Sequence, residues 1–488
     1  MPTLLKTQTN NCETPEVVFA ILPFCQLGPA LDASTLATIL KKDGISTKVH
    51  YFNRLFAGQV GGTFYDAAAA SVSLNTLLGD WVFRDHVFGA MDDRSYLKAL
   101  LDHDYLSVDL IPAARRAKEA VEIFLDTCLG IVDWKNVKVL CLIETFAKRD
   151  AVSGQLMSSL AIAKKLKKTF PHMVIILAGP STEKEMGQSL MVLPFLDFIC
   201  TADVYASIPA IVKDALEGRM PFNDLQARGI ATEQRDAAEG RVLQLPIPDF
   251  DDYFELKGDG LPGCFDSIPM ETSKGCWWAE RNHCGFCALP GSHVRFRSKA
   301  PAAALLEFQV QLERYQPARI EMNDLIIDQR YFAELFPAMQ KMRNSVEIFY
   351  ETKAHLNRGH LELLADAGVT RIQAGIESLS TNSLKRMSKG VSASRNVQFL
   401  NDCQELGISC YWNYLHSFPG ETASDMLDAI PVINSITGVS PPSTFQPVRL
   451  ERFSPYFMNP ECYGLDSIRP DWSYDLVYGG SGIDLDSL

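Results

Sequence analysis

Cys276-Trp-Trp-Ala-Glu-Arg-Asn-His-Cys284-Gly-Phe-Cys287 sets three thiols seven and then two residues apart, just after the apolar and β-branched run Ser267-Ile268-Pro269-Met270-Glu271-Thr272. Three thiolates on a loop that follows a strand suit an iron–sulfur cluster with one iron left open to a small molecule. The pair Cys284 and Cys287 supplies a tight turn, and the longer excursion from Cys276 brings the third sulfur in from the side. A structural zinc completed by His283 or His293 is the main alternative, although such sites more often come as two paired knuckles. A disulfide would leave one thiol over.

Downstream of this loop, apolar runs and helical periodicity alternate. Strands are expected over 267–272, 318–323, 347–353, 370–376, 409–416 and 444–451, with helices over 301–315, 330–343, 356–367, 394–406 and 423–436 between them. Six strands joined by five crossovers predict a partial (β/α)6 barrel spanning 266–453. Gly368 and Gly407 close two of its helices, each just before a β-branched residue.

Upstream, Val17 to Leu22, Ser46 to Phe52, Val137 to Ile143, Met173 to Leu177 and Phe198 to Cys200 read as buried strands separated by helical stretches. That alternation predicts an α/β, doubly wound parallel sheet over 15–217, with residues 57–110 as a helical insertion. Ligands of such sheets bind at the carboxyl ends of the strands, here near Pro23, Thr145 and Gly179. Residues 218–265 are rich in Pro, Gly and Asp and read as a linker. Residues 454–488 read as a C-terminal cap or tail.

The chain carries 46 basic and 59 acidic residues, a net charge of −13, which argues against a general nucleic-acid binder and favours a peptide or small-molecule substrate. Nine of the twelve cysteines are scattered singly, many in apolar segments, as free thiols in a reducing compartment would be. No apolar run approaches the roughly 20 residues needed to span a bilayer. A cytoplasmic protein without a membrane segment is expected.

With these features in view, Lys274-Gly-Cys-Trp-Trp-Ala-Glu-Arg-Asn-His-Cys-Gly-Phe-Cys-Ala-Leu289 resembles the cluster loop of radical S-adenosylmethionine enzymes, in particular the RiPP maturation radical SAM protein 1 family. The resemblance extends through Pro23-Phe24, Leu245-Pro-Ile-Pro-Asp-Phe-Asp-Asp-Tyr-Phe254, Gln373-Ala-Gly-Ile-Glu-Ser378 and Phe418-Pro-Gly-Glu-Thr422, over residues 15–465. It implies that Cys276, Cys284 and Cys287 hold a [4Fe-4S] cluster and that the open iron binds S-adenosylmethionine, which one electron splits to a 5′-deoxyadenosyl radical. An electron donor such as flavodoxin or ferredoxin is then a partner.

In that reading Phe286 lies beside the adenine, Asn323 and Asp324 hold the methionine amino group, and Glu351 and Lys353 share a strand face, with Lys353 pairing to the methionine carboxylate. Glu377 matches the ribose-binding position, and Tyr414 and His416 touch substrate or relay a proton. The first domain is implied to be a cobalamin-binding-like Rossmann domain, with Thr145, Phe146, Ser153, Gly179 and Pro180, together with Pro23, in the cofactor loops. Two features depart from the pattern: Pro180 stands where a small residue is common, and Thr201-Ala-Asp203 replaces a Gly-Glu turn. No Asp-x-His-x-x-Gly stretch offers a lower cobalt ligand. The expected reaction is cobalamin-dependent C-methylation of a ribosomally made precursor peptide. Radical modification of a small metabolite and a zinc-bearing scaffold are the alternatives.

Overall fold

Alternate residues of the first apolar run feed two different cores: Val18, Ala20 and Leu22 enter one, and Val17, Phe19 and Ile21 the other. A strand that buries both faces belongs inside a sheet covered on both sides. The computed structural model describes residues 14–69, 75–103, 108–145, 154–201, 203–219, 230–231, 243–342 and 345–488, and it bears this out. Strands β1 (Val17–Ile21), β2 (Thr47–Tyr51), β3 (Val139–Ile143), β4 (Val174–Ala178), β5 (Phe198–Cys200) and the short β6 (Ile230–Ala231) form one parallel sheet of order β2-β1-β3-β4-β5-β6. The order reverses between β1 and β3, so the crevice at their carboxyl ends is the natural ligand position.

The chain divides into two units: one comprises 1–236, 246–265 and 469–488, the other 237–245 and 266–468. The linker and tail of the sequence reading therefore resolve differently. Residues 246–265 belong to the first unit, where Tyr253 is fully buried, donates its hydroxyl to the Leu27 carbonyl at 2.5 Å and accepts from the Cys264 amide at 2.8 Å. Asp252 accepts from the Val49 amide at 3.0 Å, tying the same segment to β2.

The helical insertion is a set of helices, Phe52–Val60, Gly62–Ala69, Leu78–Phe88 and Asp93–Asp102, followed by the long Ile111–Ile131. The first of the two cores runs through this insertion, with Phe24, Phe56, Phe83 and Phe124 packed edge to face. The helix Trp472–Tyr478 also joins it. Arg84 donates to the Val477 carbonyl at 2.8 Å, and the Tyr478 hydroxyl donates to Asp80 at 2.9 Å.

In the second unit, β7 (Ser267–Met270), β10 (Arg319–Met322), β11 (Glu347–Lys353), β12 (Val369–Glu377), β13 (Ser409–His416) and β14 (Thr444–Pro447) form an all-parallel sheet of order β14-β13-β12-β11-β10-β7. Sequential parallel pairing of six strands with helical crossovers is the partial barrel expected. The final strand ends at Pro447, earlier than the periodicity suggested, because its partner β13 ends at His416 and Ser417 turns to a left-handed φ of 62°. Among the described residues, no helix is long and apolar enough to cross a membrane.

Candidate functional site

The cysteine loop leaves β7 and is closed at its base by a two-stranded antiparallel ribbon, β8 (Ser273–Lys274) with β9 (Arg297–Ser298). Asp324, at the end of β10, is fully buried and accepts from the Thr272 amide at 2.7 Å, the Thr272 hydroxyl at 2.5 Å and the Ser273 hydroxyl at 2.8 Å. The Tyr331 hydroxyl, with one proton to give, lies 2.9 Å from the Thr272 carbonyl oxygen and 3.0 Å from that of Lys299. Asp324 thus anchors the loop through bonds to the chain itself, a different role from the one read for it in sequence. Gly275 takes a left-handed φ of 77°, and a Cβ there would stand 2.2 Å from the Arg295 carbonyl oxygen. Beyond it, the Cys276 amide donates to the Val294 carbonyl at 3.2 Å.

A second clamp comes from the turn after the helix Thr381–Arg386. The Gly285 amide donates to the Met387 carbonyl at 3.0 Å, and the Trp278 indole donates to the Ser388 carbonyl at 3.1 Å. The Tyr456 amide closes the other side by donating to the Gly285 carbonyl at 3.0 Å. Gly285 has no room for a side chain, since a Cβ would lie 2.4 Å from the Tyr456 ring. Gly390, at φ 66°, would likewise meet Trp278 at 2.1 Å, and Ser388 sits at φ 58° although it is not glycine. The two adjacent tryptophans therefore fasten the loop: Trp278 to this turn, and Trp277 through its indole to the Ile327 carbonyl at 3.1 Å.

Phe286 packs with Leu384, Met387, Leu415, Phe418 and Tyr456. Lys389 holds its ammonium 5.4 Å from the Phe286 ring centre and donates to Glu377 Oε1 at 3.0 Å. Glu377 ends β12 at a left-handed φ of 59°, and buried Asn396 fixes that turn by donating to the Ile376 and Ser378 carbonyls, each at 3.0 Å. Lys353 is also buried; its ammonium donates to the Lys389 carbonyl and lies 4.0 Å from the Trp278 ring centre. Burial, with help from Lys389, pushes Lys353 down to about 8. Burial works against the charge of Lys389 as well, but Glu377 and the thiols of Cys284 and Cys287 hold it above the usual lysine range.

Asn323 and Glu351 are half-buried at the ends of their strands, the former donating its backbone N–H to the Met270 carbonyl at 2.6 Å. Tyr414 is buried against Phe445, and His416 lies 4.8 Å from the same ring with Nδ1 2.9 Å from the Ser417 hydroxyl. Phe286, Lys353 and Glu377 thus come together with the cysteine loop through Lys389, which the sequence reading missed. The signal lay in Met387-Ser-Lys-Gly390, a lysine and a glycine closing a helix, but nothing local ties that turn to the cysteines.

In the first unit Thr145 and Gly179 are half-exposed and Pro180 is exposed at the carboxyl ends of β3 and β4. A Cβ at Gly179 would stand 2.4 Å from that of Glu144, so the glycine lets the two strand ends close together. Pro23 follows β1. It is buried and its carbonyl accepts from the Ser158 hydroxyl, because the helix Gln155–Thr169 packs over it. Gln155 binds the Thr145 amide through Oε1 at 2.9 Å. Phe146 and Ser153 lie outside the described residues. Two carboxyl groups the sequence reading passed over lie beneath the rim: burial pushes Glu144 up to about 7 and Asp80 up to about 6.

The donor set suits an iron–sulfur cluster, whose irons take soft thiolate ligands. Three thiols share one clamped loop; burial and the neighbouring thiols push Cys287 up to about 11 and raise Cys276, while Lys389 opposes both shifts. Among the described residues, no three His, Cys, Asp or Glu side chains are grouped so as to hold a single metal ion.

Comparison with known proteins gives a consistent picture. The chain is 22% identical to tRNA-2-methylthio-N(6)-dimethylallyladenosine synthase of Sulfurihydrogenibium sp. (strain YO3AOP1), over 62% of this chain and 67% of that protein. It is 23% identical to the anaerobic magnesium-protoporphyrin IX monomethyl ester cyclase of Synechocystis sp. (strain PCC 6803), over 54% of each. The chain thus spans between about half and two thirds of these relatives. Its fold is similar to that of the cobalamin-dependent S-adenosylmethionine radical enzyme OxsB with aqua-cobalamin and S-adenosylmethionine bound, at a TM-score of 0.56 and 14% identity over 92% of this chain and 56% of that one. The radical S-adenosylmethionine methyltransferase TsrM of Kitasatospora setae, with cobalamin and a [4Fe-4S] cluster bound, matches at 0.56 and 12% identity over 93% and 80%. Residues 270–430 match the Radical SAM superfamily, a domain that uses a [4Fe-4S] cluster and S-adenosylmethionine, and they contain all three loop cysteines, the Lys389–Glu377 pair and five of the six barrel strands in whole or part: this part of the chain is a radical SAM domain.

Proposed function

We propose that the protein is a cobalamin-dependent radical enzyme that methylates an unactivated carbon of a ribosomally made peptide. The observation that carries the reading is the doubly clamped three-cysteine loop on a six-strand parallel arc, in a chain that also has a parallel sheet with a small-residue rim at its strand switch. Both solved structures named above hold cobalamin, and the rim residues Thr145, Gly179 and Pro180 fit an edge-on ligand. The cluster would supply the electron that splits S-adenosylmethionine, and the corrinoid would carry the methyl group.

The chain's own residues bind and orient. Phe286 offers an aromatic face to the adenine, and Glu377 stands at the end of β12 where sugar hydroxyls are to be received. Half-buried Asn323 and Glu351 remain candidates for the methionine end, and Tyr414 and His416 for substrate contact. A peptide substrate follows from the sequence resemblance and agrees with the net charge of −13, which disfavours a polyanion.

Anaerobic reconstitution followed by incubation with S-adenosylmethionine and reductant tests the reading. The expected result is 5′-deoxyadenosine from the intact protein, none from Cys284→Ala, and cobalamin absorbance that stays with the protein through gel filtration. A Cys284→Ala variant as productive as the wild type removes the radical assignment; loss of all cobalamin on the column removes the methylation step.

A further inference from the structure

The turn Met387–Gly390 makes more bonds to the cysteine loop than a connecting segment needs, and it carries a buried charge. Its carbonyls at Met387 and Ser388 accept from Gly285 and Trp278 on the loop, and the carbonyl of Lys389 accepts from the Lys353 ammonium. Ser388 and Gly390 are both left-handed, and Gly390 is pressed against Trp278, so the turn has little freedom to move away. The Lys389 ammonium points inward: it is 2.8 Å from where a Cβ on Gly375 would stand, over Phe286, with Glu377 Oε1 at 3.0 Å.

Around the three cysteines there are thus two buried lysines, with Glu377 bound to only one of them. The charge of Lys389 acts on all three thiols, and that of Lys353 on Cys276 and Cys284. A cluster that takes up an electron gains one negative charge, and in a poorly screened interior a fixed cation nearby lowers the cost of that gain.

We infer that Lys389, held in place by the Met387–Gly390 turn and moderated by Glu377, is the electrostatic partner of the cluster and sets its reduction potential. The inference rests on the cluster assignment proposed above. It gives Lys389 a role before S-adenosylmethionine binds, which separates it from a residue whose only task is to hold that molecule.

The test is a redox titration of the reconstituted full-length protein without S-adenosylmethionine, followed by electron paramagnetic resonance, with iron and sulfide measured on each sample. Lys389→Met is expected to need a more negative potential, with the ratio of reduced to oxidised cluster at the wild-type midpoint falling about tenfold, equivalent to about 59 mV for one electron. Lys389→Arg is expected to stay near the wild type. Glu377→Gln leaves the cation without its counter-charge, and its midpoint is expected to move the opposite way.

An unchanged midpoint in Lys389→Met with full iron overturns the inference, and so does a shift of Lys389→Met and Glu377→Gln in the same direction. If Lys389→Met does not retain iron, Glu377→Gln decides: an upward shift supports the inference, and no shift or a downward one overturns it. A wild type that binds no iron instead removes the cluster assignment beneath it.

Discussion

The cysteine loop and the rim at Thr145 and Gly179 treat buried charge in opposite ways. Beside the cysteines, buried Lys389 meets buried Glu377, and the pairing helps hold the lysine charged. Beneath the rim, Glu144 and Asp80 are as deeply buried, yet among the described residues neither has an ion-pair partner. Glu144 Oε2 accepts from the Ser181 amide at 2.9 Å while, among the described residues, its Oε1 has no hydrogen-bond partner, and Asp80 accepts from Tyr478. Burial without a cation favours the protonated acid. The first arrangement keeps a fixed field near neutral pH, whereas the second changes its charge there.

The contrast can be broken most severely by filling the two close approaches with a methyl group. Gly285→Ala drives a Cβ into the Tyr456 ring and should lose most of its iron after reconstitution, whereas Gly179→Ala, which presses on Glu144, should keep its iron. Each overpacked site is expected to cost about 1–3 kcal/mol of stability. Trimming the ring in Gly285→Ala/Tyr456→Leu should restore part of the iron. Iron assay with chemical denaturation reads both effects, and equal loss of iron in the two glycine variants would erase the distinction between the sites.

The pH response concerns the rim alone. Glu144 binds its proton more tightly folded than unfolded, so the stability it contributes is complete below about 4.5 and is lost as the pH rises through about 7. Over that interval the loss is on the order of 3 kcal/mol. Asp80 acts in the same sense, from about 3.8 through about 6. Glu144→Gln should flatten the fall, leaving the variant more stable than the wild type above pH 7 in urea melts followed from pH 5 to 8. A wild-type profile that rises with pH would place a cation beside these acids. The smallest expected effect is that of Tyr478→Phe, which removes one hydrogen bond to Asp80 and should cost about 1–2 kcal/mol, read by the same melts.

Most strands of both units were legible in sequence because their apolar residues bury one face or both, and the three cysteines because their spacing is local; β14 buries no face, and β6 fell inside the stretch read as a linker. What escaped was set by distant contacts. The β8–β9 ribbon is only two residues on each side and has no periodicity to detect. Asp324 looks like any acid at a strand end until Thr272 and Ser273 are seen to saturate it. Lys389 sits over one hundred positions beyond Cys276, and only the backbone bonds from Gly285 and Trp278 reveal the link. Pro23 was placed correctly after its strand, but the helix that covers it comes from Gln155–Thr169, far along the chain.

The helix Trp472–Tyr478 has a consequence for how the protein is made. Synthesis proceeds from the amino terminus, and domains tend to fold as units as they emerge. Here the core of the first unit lacks Val477 and Tyr478 until the entire second unit has been made. Until then Asp80 has no hydroxyl to receive, and Arg84 lacks the Val477 carbonyl it binds in the finished fold. A released chain truncated before residue 472 should therefore carry a protease-sensitive first unit, while all six strands of the second unit are present.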